Sequence, residues 1–80
     1  MTYTAYTPRQ LGQTLRGQRK SQQITQKDAA KIVGLLPKTI SKLERATETA
    51  TIESFFKLLS ALQLELVVRS RIPDADAKEW

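Results

Sequence analysis

Residues 25–44 read TQKDAAKIVGLLPKTISKLE, with Gly34 and Pro37 three positions apart between two short apolar-patterned stretches. Glycine ends a helix because it enters the left-handed conformation without steric cost. Proline opens one because its missing N–H falls where no intrahelical bond is made. Only Gly34, Leu35 and Leu36 then separate a helix that must stop from one that can start. The chain is thereby committed to two short helices meeting at a tight turn. Upstream, Thr25-Gln-Lys-Asp28 has the T-x-x-D form of a capping box ahead of Ala29, Ala30, Ile32 and Val33, which predicts a first helix over 25–33. The second runs from Pro37 to Arg45 with Ile40 and Leu43 facing inward.

The flanking segments supply the remaining elements. Pro8 follows Thr7 in the arrangement of a first-turn proline behind its cap, and Leu11 and Leu15 repeat four apart, predicting a helix over 8–22. Thr51 caps a further helix in which Ile52, Phe55, Phe56, Leu59 and Leu62 recur with the spacing of a buried face. After Gln63 the period changes to two: Leu64, Leu66 and Val68 alternate with Glu65, Val67 and Arg69 before Pro73. A strand over 64–71 follows from that alternation. One strand leaves its backbone donors and acceptors unpaired, and nothing else in the chain reads as a strand, so the simplest partner is the same strand of a second copy. The expected fold is mainly α, with four to five helices and one C-terminal strand pairing across a homodimer. Residues 1–72 form the expected domain, and the acidic tail 73–80, PDADAKEW, is expected to be disordered.

Eighty residues lie near the lower end of what one core stabilises, which again favours dimerisation. The chain has no His and no Cys, hence no imidazole base, no thiolate and no ordinary zinc ligand set. No enzyme, cofactor or metal site is expected, and Asp74, Asp76 and Glu79 have no scaffold to organise them. Neither a signal peptide nor a membrane span is visible, and a cytoplasmic protein is expected. The net charge of +5 is unevenly placed: residues 1–45 carry +7 and residues 46–80 carry −2. Concentrated positive charge suits a polyanion such as nucleic acid, although a solvated surface accounts for the charge alone equally well.

A capped short helix, a glycine turn and a second helix make the layout of a helix-turn-helix, in which the second helix enters the DNA major groove. Thr25, Gln26, Ala30, Gly34, Thr39, Ile40, Ser41 and Glu44 resemble the Xre/Cro repressor pattern T-Q-x-x-x-A-x-x-x-G-x-x-x-x-T-I-S-x-x-E. Beyond it, TPRQLGQTLR, TIESFFKLLSALQLEL and the terminal Glu79-Trp80 resemble the HipB-type antitoxins of toxin-antitoxin modules. That resemblance implies a homodimer joined through the C-terminal strand at Leu64, Leu66, Val67 and Val68. It further implies an autorepressor of its own operon that binds a palindromic double-stranded operator and neutralises a HipA-like kinase toxin. No membrane or small-molecule partner is implied.

Carried over position by position, the resemblance assigns Thr25 and Gln26 to capping and phosphate contact, with capping alone the alternative for Thr25. It assigns Lys27 to phosphate or a base edge. Lys38 is placed to reach guanine, and Thr39 a thymine methyl or a phosphate. Ser41 and Lys42 follow on the groove side, Lys42 toward phosphate, while Arg45 stays unassigned. Arg19 and Glu44 match an Arg and a Glu that bridge the first helix to the end of the recognition helix. Three positions depart from the pattern: Leu36 and Pro37 stand where relatives carry polar residues, and Ala29 where they often carry Leu. Trp80 is read as an anchor in the toxin or as a degradation signal. Two other readings stay open: a phage-like Xre/Cro repressor without a toxin, and an interaction module that has lost DNA binding, which Leu36 and Pro37 would favour.

Overall fold

The computed structural model describes residues 2–71. Four α-helices follow one another: α1 Pro8–Ser21, α2 Gln26–Val33, α3 Pro37–Arg45 and α4 Ile52–Ala61, with a 3₁₀ turn at Thr47–Thr49 between the last two. Each boundary has a local cause. The Thr7, Thr25 and Thr51 hydroxyls accept from the backbone N–H of Gln10, Asp28 and Ser54 at 3.0–3.1 Å, capping α1, α2 and α4. Pro8 and Pro37 occupy first-turn positions. Gly34 ends α2 in the left-handed conformation at φ 72°, and the Leu35 N–H turns back to Ala30 O at 2.9 Å. These boundaries agree with those read from the sequence to within one residue: α1 ends at Ser21 with Gln22 as its cap, and α2 begins at Gln26 with Thr25 as its cap.

The other two sharp stops use glutamine instead of glycine. Gln23 and Gln63 adopt φ of 60° and 57°. After each, the next residue bonds back five positions, Ile24 N–H to Arg19 O and Leu64 N–H to Leu59 O. Glutamine tolerates the left-handed region at some cost, and each turn is consolidated as Ile24 and Leu64 pack against the core.

The core joins Leu15 of α1, Ala29 and Ala30 of α2, Ile40 and Leu43 of α3, and Phe55, Leu58 and Leu59 of α4. Ala29 is fully buried in the core, so its small side chain limits the space between the helices that meet there. The α4 stripe read from the sequence divides in two. Phe55, Leu59 and Leu62 are buried, as is Leu58, but Ile52 and Phe56 lie on the outer side at 71% and 46% exposure. Ile52 is corrected here from the buried face to the outer side, and Phe56, read as a core or dimer residue, lies outside the core of the single chain: the apolar stripe is wider than the surface that α2 and α3 cover within one chain.

Residues 64–70 follow α4 without regular secondary structure in the single chain. A strand is defined by its ladder, so the strand expected over 64–71 stays a proposal about a pair of chains. Leu64 packs on the core, and Leu66, Val67 and Val68 are exposed. At the end of this segment the Arg71 guanidinium stands over the Tyr6 ring, 4.3 Å from its centre. The tail read as acidic, with Trp80, lies outside the described residues.

Two glycines of α1 have opposite surroundings. A Cβ at Gly12 would overlap Thr47 Oγ1 and the Glu44 carbonyl, whereas one at Gly17 would meet open space. Gly12→Ala is therefore expected to destabilise the fold by about 1–3 kcal/mol through overpacking. Gly17→Ala should stabilise it by about 0.5–1 kcal/mol. Urea denaturation of the two variants checks both signs.

Candidate nucleic-acid interface

The α3 sequence PKTISKLER contains a single acid, Glu44. Helical spacing puts Ile40, Leu43 and Glu44 on the buried side, all at 5% exposure or less. Lys38, Ser41, Lys42 and Arg45, at i, i+3, i+4 and i+7, take the other side. With Thr39 and Ala46 they line an open depression of roughly 570 Å³. Among the described residues no carboxylate pairs with Lys38, Lys42 or Arg45. The outer face of α3 is thus a ridge of three cations interleaved with hydroxyls.

That polarity depends on where Glu44 goes. Its carboxylate turns inward to Arg19, which donates from Nε to Oε2 at 2.6 Å and from Nη2 to Oε1 at 3.2 Å. The same guanidinium donates from Nη1 to Ile24 O at 2.8 Å, fastening the turn between α1 and α2. The scaffold role expected for Arg19 and Glu44 is what the structure displays.

Gln26 has a more particular place than the sequence reading assigned. Its amide nitrogen donates to Glu44 Oε1 at 3.2 Å, so the half-buried side chain is held by the carboxylate that Arg19 secures. This bond brings the N-terminus of α2, with the exposed Thr25 and Lys27, against the C-terminal turn of α3 beside Arg45. Thr25, Gln26 and Lys27 thus lie on the segment tied through Gln26 to the C-terminal turn of α3, whereas Lys38 and Thr39 stand in its first turn. Arg45, unassigned from the sequence, belongs on this surface, and its spacing of three from Lys42 and seven from Lys38 is the signal that finds it.

Leu36 and Pro37 stand at the front of α3, both exposed. Leu36 is the N-cap residue with φ −88° and ψ 149°, and it makes no side-chain cap hydrogen bond. Its carbonyl accepts from Thr39 N–H at 2.9 Å.

The fold and this surface can be compared with known proteins. The Helix-turn-helix family profile matches residues 15–68. The Escherichia coli (strain K12) protein Antitoxin HipB is 33% identical over 63 residues, covering 79% of this chain and 72% of the relative. Two solved structures superpose with a TM-score of 0.84 at 30% identity, each covering 88% of this chain and 99% of its own. One is described as the HipA-HipB-O2-O3 complex and the other as the HipB-O4 20mer complex. Among the described residues no helix is long and apolar enough to cross a membrane.

Removing one partner of a buried ion pair strands the other charge in a low-dielectric interior. Glu44→Ala is expected to cost about 3–5 kcal/mol of stability. A double change to Arg19→Met with Glu44→Leu should recover much of that loss. Chemical denaturation of the single and double variants measures both.

Proposed function

The chain belongs to the helix-turn-helix family, among the HipB-type antitoxins, and from that membership we propose that it is a DNA-binding antitoxin and autorepressor. It binds palindromic operator DNA as a dimer and neutralises a HipA-type kinase toxin by forming a complex with it. The observation that carries the reading is the cationic face of α3, from Lys38 to Arg45, which no carboxylate pairs with among the described residues. Its likeness to a chain described in complex with an O4 20mer, and to one in a HipA-HipB-O2-O3 complex, supports the same conclusion.

Each residue has a physical task in this reading. Lys38 reaches guanine O6 and N7 in the major groove, and Thr39 a phosphate. Ser41, Lys42 and Arg45 follow along the groove wall, Lys42 and Arg45 neutralising phosphate. At the start of α2, backbone N–H groups and the Thr25 and Gln26 side chains meet the DNA backbone where the helix dipole favours an anion, with Lys27 alongside. The amide of Gln26 arrives already oriented by Glu44. No step calls for catalysis, and the protein acts on the DNA of the cytoplasm.

Dimerisation uses the apolar surface one chain leaves uncovered: Ile52 and Phe56 on α4, and Leu66, Val67 and Val68 beyond it, at exposures of 46–89%. Leu64, half-buried on its own core, sets where this segment departs. Pairing two such segments across a two-fold axis satisfies the backbone and buries the patch, and it sets two recognition helices on successive half-sites.

Binding to the duplex upstream of its own gene, measured against a scrambled duplex at two or more salt concentrations, tests the reading. The expected log–log salt slope is about −4 to −5 per half-site, for about four to six phosphates neutralised. Lys38→Ala should reduce preference for the specific duplex, whereas Lys42→Ala should weaken both duplexes alike and reduce the slope by about one. Failure to bind either duplex at low salt would remove the repressor reading. Val68→Lys should convert the dimer to monomer in sedimentation and lower operator affinity. Co-expression with a HipA-type kinase should yield a copurifying complex, the result that separates an antitoxin from a plain repressor.

A further inference from the structure

Thr7, Thr25 and Thr51 each cap a helix with a side-chain hydroxyl, but α3 begins with leucine and has no such bond. An N-cap of this kind forgoes the hydrogen bond that a hydroxyl or carboxylate side chain would supply to the first turn. Leu36 also gains little from burial, because the side chain is 58% exposed. One residue therefore carries two local disadvantages in the free protein. They coincide at the leading tip of the helix whose next residues, Lys38 and Thr39, line the cationic face. Positions that break local rules without compensation inside the fold are where a ligand is expected to supply it.

We propose that Leu36 is a specificity-determining residue that contacts the methyl group of a thymine in the major groove. The inference rests on the DNA-binding reading above and sharpens it. A leucine cannot hydrogen-bond a base edge, and a charged phosphate would be desolvated against it without return. Among groups displayed in the major groove, the thymine methyl is the apolar one, and apolar side chains are its usual partners. The extended backbone of Leu36 and the proline that follows hold the side chain ahead of the first turn of α3, and the cations along that helix, Lys38 first, bring the polyanion to it. Lys38 and Leu36 then divide the recognition, one selecting guanine by hydrogen bonds and the other thymine by its methyl.

The test uses a duplex enriched by the full-length protein from a random-sequence pool, prepared with thymine, with uracil, or with bromouracil at every thymine position. Uracil lacks only the methyl, and the bromine of bromouracil restores its bulk. Wild-type affinity is expected to fall about fourfold per half-site with uracil, as burial of one methyl-sized group implies, and to return with bromouracil. Leu36→Ser should bind the thymine and uracil duplexes equally while melting at a higher temperature than the wild type, because serine supplies the missing cap. Thr39→Ser should keep the discrimination. Equal wild-type affinity for thymine and uracil would overturn the role of Leu36 and leave DNA binding standing. So would discrimination that survives Leu36→Ser or vanishes in Thr39→Ser. Absence of binding to all three duplexes would overturn both.

Discussion

The fold turns on one buried ion pair. Arg19 and Glu44 are 7% and 5% exposed, and an isolated charge at that depth would be strongly destabilising. Neither is isolated. The guanidinium donates twice to the carboxylate and once to the Ile24 carbonyl, and the carboxylate accepts a further bond from Gln26. Among the described residues no buried side-chain nitrogen or oxygen lacks a partner. Four segments meet in this network: α1, the turn after it, the first residue of α2 and the last turn of α3. Apolar packing is non-directional and would tolerate sliding of helices this short, whereas a bidentate pair tolerates little.

The pair also has an electrostatic consequence for the surface. Drawing the only acid of α3 into the interior leaves Lys38, Lys42 and Arg45 without a neutralising neighbour on their own helix. Holding Gln26 to the same carboxylate sets the α2 N-terminus, where backbone N–H groups point outward, beside that cationic ridge. Structural and functional roles are thus divided between the two sides of one nine-residue helix. The close approach of α1 at Gly12 belongs to the same arrangement, since it meets the Glu44 backbone.

Hydrophobic burial is incomplete within one chain, and the incompleteness is localised. Leu58 and Leu62 are fully enclosed, while Phe56 makes an edge contact with Phe55, ring centres 5.5 Å apart, and turns its other side outward. Ile52 and the segment from Leu66 to Val68 extend the same apolar character. A domain this small buries only a modest fraction of its unfolded surface, so an uncovered apolar patch of this kind is well used by a second copy.

The helix boundaries were legible in the sequence because each is set by chemistry within a few residues: a threonine hydroxyl three positions from an N–H, a proline without its donor, a glycine at positive φ. Most of the cationic face was legible too, since helical spacing alone puts Lys38, Ser41 and Lys42 opposite Ile40 and Leu43. The left-handed glutamines at 23 and 63 were not, because no side chain announces a conformation that the surrounding packing imposes. Gln26 was legible as a capping and phosphate-contacting residue, but not as a partner of Glu44, eighteen residues away. The apolar stripe of α4 had the right period, but periodicity gives direction without saying how far the neighbouring helices reach around it. Local interactions decide where a helix starts and stops and which side is apolar. Only the tertiary structure decides that Gln26, eighteen residues from Glu44, joins the hydrogen-bond network of that carboxylate, and how much of an apolar side is left for another molecule.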